Sequence, residues 1–154
     1  MLYIHAGTGK TGTTYLQSYF AANAKKLGIR YPLIGRQLNV SSKLWDAHYA
    51  LALDCCWANS KAQWVLFIHG IKSHGDNDDS KWLVSTENLA YASCVFLEWL
   101  SVKLDSAAIN YTFILFVRDA PSCAKSTFLD KVKLGKVPLY FDICDFLSKH
   151  INGL

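Results

Sequence analysis

No acidic residue occurs in the first 45 positions, whereas six basic ones do: Lys10, Lys25, Lys26, Arg30, Arg36 and Lys43. The other 109 residues hold ten Lys or Arg against twelve Asp or Glu, so the net charge of +4 arises in the first third. Such an imbalance suits an anionic ligand, although it also serves solubility. Missing too is any run of the roughly 20 apolar residues that a membrane helix requires. The N-terminus enters a strand-like run and a glycine loop, which is not the layout of a secretory signal. The five cysteines, Cys55, Cys56, Cys94, Cys123 and Cys144, include no Cys-x-x-Cys pair. An odd count in mostly apolar or helix-like surroundings is expected of buried free thiols in a reducing compartment, which predicts a cytoplasmic protein. No internal repeat or low-complexity segment is present. His5, His48, His69 and His74 show no metal-ligand spacing. What is there is one domain's worth of core: 154 residues, 51% hydrophobic and 14% aromatic, which excludes disorder of the whole chain.

Strand-like and helix-like segments alternate. Leu2–His5 is a short apolar run closed by glycines, and helical spacing of Leu16, Phe20, Asn23 and Leu27 follows, with Gly28 at the expected stop. Residues 29–33 predict a second short strand, broken by Pro32. A helix capped by Ser42 is expected through Trp45, His48, Tyr49, Leu51 and Leu53. Periodicity leaves residues 64–71 open between helix and strand. Residues 72–81 are polar and predict a surface loop. A strand at 82–85 and a helix over 89–104 follow. Tyr111–Val117 (YTFILFV) is the clearest strand, apolar as expected of one covered on both faces. Helices are expected over 122–134 and 142–150. The alternation predicts an α/β fold: one parallel sheet with helices on both faces, as a P-loop-like three-layer α/β/α domain.

Gly7 to Thr14 (GTGKTGTT) lies between the first strand and the first helix. In that arrangement backbone N–H groups converge on an anion, and the positive end of the helix dipole supports them. Lys10 adds a point charge, and Thr11, Thr13 and Thr14 add hydroxyl donors. Gly7, Gly9 and Gly12 satisfy a dinucleotide pattern, but the acid it needs about 20 residues later is missing, since the first acid is Asp46. The pattern of an ATP- or GTP-binding P-loop requires a glycine where Ile4 stands, which weakens a kinase or NTPase reading.

A second cluster follows the strongest strand. Arg118 stands at its carboxyl end, where parallel sheets bind ligands, and Ser126 lies eight residues on, in the next helix. Asp119 is a candidate helix cap. Between the two clusters, Glu87 follows a predicted strand, where a carboxylate can act as general base. Its structural alternative is a first-turn charge on a helix capped by Thr86.

The run HAGTGKTGTTYLQ resembles the 5′-phosphosulfate loop of bacterial PAPS-dependent sulfotransferases, and VRDAPSCAKSTFLDKVKLG resembles their 3′-phosphate motif. The resemblance implies that Gly9, Lys10, Thr11, Gly12, Thr13 and Thr14 hold the 5′-phosphosulfate and that Arg118 and Ser126 hold the 3′-phosphate. It further implies Lys10 and Glu87 as catalytic groups and His48 near the acceptor. PAPS would be the sulfate donor and PAP the product, with no metal required. The expected acceptor is a small molecule or carbohydrate with a hydroxyl or amine. Nucleic acid and membrane are not expected as partners, and a homo-oligomer is compatible. The similarity runs from Met1 to about Gly135 of a single domain, and the family fold continues further. A segment completing the sheet is therefore expected to be missing. A non-catalytic PAP-binding module is the alternative that this shortening favours.

Overall fold

A computed structural model describes residues 1–7, 12–36, 46–52, 57–74 and 80–134. Four parallel strands form the sheet: β1 (Leu2–Gly7), β2 (Ile29–Arg30), β3 (Lys81–Ser85) and β4 (Tyr111–Phe116), in the order β2-β3-β1-β4. Among the described residues four α-helices accompany them: α1 (Thr13–Asn23), α2 (Trp57–Lys72), α3 (Cys94–Ser106) and α4 (Ala120–Lys133). The α/β class expected from the alternating pattern is the one found.

Side-chain alternation along β1 divides the molecule. Leu2, Ile4 and Ala6 pack with Trp82 and Val84 of β3 against Trp64 and Phe67 of α2 and Phe96, Leu100 and Leu104 of α3. Strand register explains the grouping, because Leu2 lies opposite Trp82 and Ile4 opposite Val84. On the other face Tyr3, His5 and Leu83 look toward α1, whose Phe20 ring meets His5 edge-on at 6.1 Å. Right-handed crossovers require this division. The path from β1 to β2 runs one way along the sheet, and the paths from β2 to β3 and from β3 to β4 run the other way. α1 must therefore lie opposite α2 and α3.

Several elements differ from the sequence expectation. Residues 64–71, ambiguous by period, lie inside the 16-residue α2. α1 ends at Asn23 rather than Leu27, and the chain turns through residues 24–28 before β2. Of the helix expected from Ser42 onward, the described part is one 3-10 turn, Tyr49–Leu51; Ser42 to Trp45 and Leu53 lie outside the described residues. The helix expected over 89–104 is divided. A 3-10 segment, Glu87–Tyr91, precedes α3, and Ser93 caps α3 by accepting from the Phe96 N–H at 3.3 Å. Glycine is needed at position 35, where φ is +88° and an added Cβ would stand 2.7 Å from Leu51 Cγ. The helix expected over 142–150 lies outside the described residues.

The largest correction concerns β4. Its apolar run reads as a strand buried on both faces, yet Leu115 is 59% and Phe116 40% exposed. Among the described residues it pairs with β1 alone, so it stands at the sheet edge. Hydrophobic composition reports what a strand can bury, not what the topology puts beside it. Cys94, expected to be buried with the other thiols, is instead a free, exposed residue at the start of α3. Among the described residues, no helix is long and apolar enough to cross a membrane.

Candidate functional site

Adjacent strands β1 and β3 send their chains in opposite directions, β1 through α1 toward β2 and β3 through α3 toward β4. Such a reversal opens a crevice beyond the carboxyl ends of the two strands, where ligands bind in open α/β sheets. Thr13, the first residue of α1, and Glu87, two residues past β3, meet in that crevice. The Thr13 hydroxyl donates to Glu87 Oε2 at 2.6 Å across 74 residues of sequence. Tyr49 donates to the other carboxylate oxygen at 3.4 Å. Burial and the negative charge of Glu87 both raise the Tyr49 pKa, which keeps that hydroxyl protonated as a donor.

Local backbone geometry explains how Thr13 arrives there. Gly12 has φ +79° at the helix N-cap, a left-handed conformation that costs glycine little and lets the chain turn from β1 into α1. Thr13 is 2% exposed, whereas Thr14 points to solvent. Gln17, one turn further on the same helix face, is also buried, and its Nε2 has no hydrogen-bond partner. The buried face of α1 is thus polar at its start rather than the apolar stripe expected from Leu16 and Phe20. Gly9, Lys10 and Thr11 lie outside the described residues.

Behind Glu87 is a buried polar network that sequence patterns do not signal. His5 Nδ1 and Ser85 Oγ are 2.6 Å apart. Tyr31, on the same side, donates to the Asp46 carbonyl at 2.7 Å. The Arg36 guanidinium lies 4.6 Å from the Tyr31 ring centre and 3.9 Å from the Asp46 carboxylate. Burial pushes the Tyr31 pKa up, opposed by Arg36. Burial also holds His5 below the usual histidine range, opposed by the charge of Glu87. Thr86 stands at the N-cap position but makes no capping bond, and its Oγ1 is buried without a partner. The capping role considered for it is not the one it performs.

His48 is fully buried, and both ring nitrogens are engaged by backbone. Nε2 lies 3.0 Å from the Pro32 carbonyl, which only accepts, so Nε2 carries the proton. Nδ1 then accepts the Ser85 N–H at 3.1 Å. No group of the ring is left for an acceptor molecule, and His48 ties residues 46–52 to the ends of β2 and β3. Burial first, then Arg36, lowers its pKa to about 4 against the Pro32 and Ser85 carbonyls, which raise it. The consequence for stability has a definite sign. Above pH 6.5 neither the folded nor the unfolded state protonates this ring; below it the unfolded chain takes up a proton that the folded chain refuses. Stability is therefore full above pH 6.5 and falls as the pH drops toward 4, by an amount of order 3 kcal/mol. Urea unfolding of the wild type and His48→Gln at pH 7 and pH 4.5 checks this. The wild type should lose more stability between the two values than the variant, and equal losses would refute it.

Arg118 is exposed two residues beyond β4, at the carboxyl edge of the sheet. Asp119 caps α4 by accepting from the Ser122 N–H at 2.9 Å, and this bond lowers its pKa. The helix starts at Ala120, one residue before Pro121. Ser126 is half-buried in the second turn of α4. The geometry thus joins Thr13 to Glu87 directly, places Arg118 at the same end of the sheet, and gives His48 to the scaffold. Among the described residues, no three His, Cys, Asp or Glu side chains group closely enough to hold a metal ion. Comparison with protein-family models, curated proteins and solved structures finds no match for the chain.

Proposed function

We propose that this chain is a sulfotransferase that moves a sulfuryl group from PAPS to a hydroxyl or amine acceptor. The observation that carries the reading is the Thr13–Glu87 hydrogen bond at 2.6 Å. It joins a residue of the glycine turn to the candidate base at the switch point of a parallel sheet, where nucleotides bind. The N-terminus of α1 offers unpaired N–H groups and a positive dipole end to the 5′-phosphosulfate. Lys10, by the resemblance of its loop, neutralises the phosphate that leaves. Arg118 and Ser126 hold the 3′-phosphate from the neighbouring strand end.

The reaction is an in-line displacement at sulfur, the counterpart of in-line phosphoryl transfer. The acceptor oxygen or nitrogen forms a bond to sulfur as the bond from sulfur to the phosphate oxygen of PAPS breaks. Glu87 takes the acceptor proton, and the phosphate leaves on PAP. The hydroxyls of Thr13 and Tyr49 hold the Glu87 carboxylate in place before the acceptor enters.

Calorimetric titration with PAP, and separately with ATP and Mg²⁺, tests the reading. Micromolar binding of PAP with much weaker binding of ATP is expected. Preference for ATP with Mg²⁺ would favour a kinase or NTPase, and absence of PAP binding by the folded chain would reject the proposed nucleotide site. Tight PAP binding without transfer to any acceptor would favour the non-catalytic module.

A further inference from the structure

Beneath α1, on the face of the sheet opposite the main core, is a cavity of about 310 Å³ bounded by Tyr3, His5, Leu83 and Phe116 of the sheet and by Phe20 and Leu27. It is a pocket partly open to solvent rather than a sealed void. An engineered apolar cavity of about 150 Å³ holds one benzene molecule. This one is about twice as large, the size of two fused rings. Its lining is almost wholly apolar, and Phe116 and Leu27 remain 40% and 41% exposed around it. Filling it with an apolar molecule would remove that surface from water.

One polar side chain in the wall has an unused hydrogen-bonding atom. His5 Nδ1 lies 2.6 Å from Ser85 Oγ. The other ring nitrogen, Nε2, is buried and has no partner. Of the rings packed edge-on against His5, Phe116 is the nearer, with centroids 4.9 Å apart. Both Phe116 and Phe20 line the cavity together with His5. A buried polar atom without a partner costs free energy that a suitable ligand would recover.

We infer that the cavity under α1 is a binding site for a small flat molecule of two fused rings carrying one N–H or O–H donor, and that His5, with its ring proton on Nδ1 toward Ser85 Oγ, accepts this donor at Nε2. The site needs no nucleotide and stands whether or not the sulfotransferase reading holds. Indole is the test probe, with 1-methylindole as the analogue lacking the donor. Titration of the nucleotide-free protein, followed by methyl NMR, should shift Ile29, Leu83 and Ile114 first. Indole should bind about fivefold more tightly than 1-methylindole, the factor for one net hydrogen bond. In His5→Phe that preference should disappear while binding of both probes persists. Leu83→Trp, which fills the cavity from the β3 side, should abolish binding of both; circular dichroism verifies that each variant is folded. Failure of indole to bind the folded wild type, shifts confined to other methyl groups, or equal affinity for both probes would overturn the inference.

Discussion

Replacing Glu87 with glutamine is expected to lower turnover roughly 100- to 10,000-fold, the range for loss of a general base. The fold should be unaffected, for a geometric reason. Glutamine keeps one carbonyl oxygen, which can accept from Thr13 as Glu87 Oε2 does at 2.6 Å. Its amide group takes the place of the oxygen that meets Tyr49 at 3.4 Å, and the Tyr49 hydroxyl can turn to accept instead of donate. Shape and hydrogen bonding are preserved, and only the capacity to remove a proton is lost. Sulfate transfer to a hydroxyl acceptor, measured beside the melting temperature and PAP affinity, separates the effects. A large fall in turnover with PAP affinity within a few-fold of wild type is the expected result. Unchanged turnover would remove Glu87 from the mechanism, and equal loss of folding would make its role structural.

Trp64→Ala should cost about 3–5 kcal/mol of folding stability, the range for truncating a large aromatic in a packed core. Trp64 is fully buried in the middle of α2 and packs edge-on against Phe67 at 5.6 Å between centroids. Its indole N–H donates to the Leu51 carbonyl at 2.9 Å, so truncation both opens a cavity and strips a buried acceptor of its donor. Native domains are stable by only about 5–15 kcal/mol, so this one substitution removes a large share of the total. Val102→Ala on α3, at a position 64% exposed, is the control and should change stability by less than about 0.5 kcal/mol. Urea unfolding of both variants tests the contrast. A loss at Trp64 no larger than that at Val102 would mean that the core is not arranged around α2 as described.

Elements whose signal is local were legible in the sequence. The apolar runs at β1, β3 and β4, the glycine turn before α1 and the alternation of strands with helices all follow from backbone preferences and burial within a few residues. They are enough to determine an α/β class. The Asp119 cap was legible for the same reason, since a helix start is satisfied by a side chain three residues away. Ambiguity began where local rules compete. Residues 64–71 satisfy helix and strand alike, and their state was settled by the long α2 laying Trp64 and Phe67 on the sheet. The break between Tyr91 and Cys94 was hidden by continuous apolar residues on both sides.

The candidate site divides in the same way. By themselves the residues nominated a phosphate-binding turn, Arg118 beyond a strand and Glu87 beyond another, because each follows a strand end and carries suitable chemistry. Strand order alone decided that Thr13 and Glu87 would touch, since a separation of 74 residues has no periodicity to report. The tertiary structure likewise committed both His48 nitrogens to the Pro32 carbonyl and the Ser85 N–H, and brought His5 Nδ1 to 2.6 Å from Ser85 Oγ. It also placed β4 at the edge, leaving apolar residues exposed that composition would have buried. The physical reason is common to all three. A side chain's intrinsic preference is written in its own residue type, but its partner and its solvent are supplied by whatever the topology brings alongside.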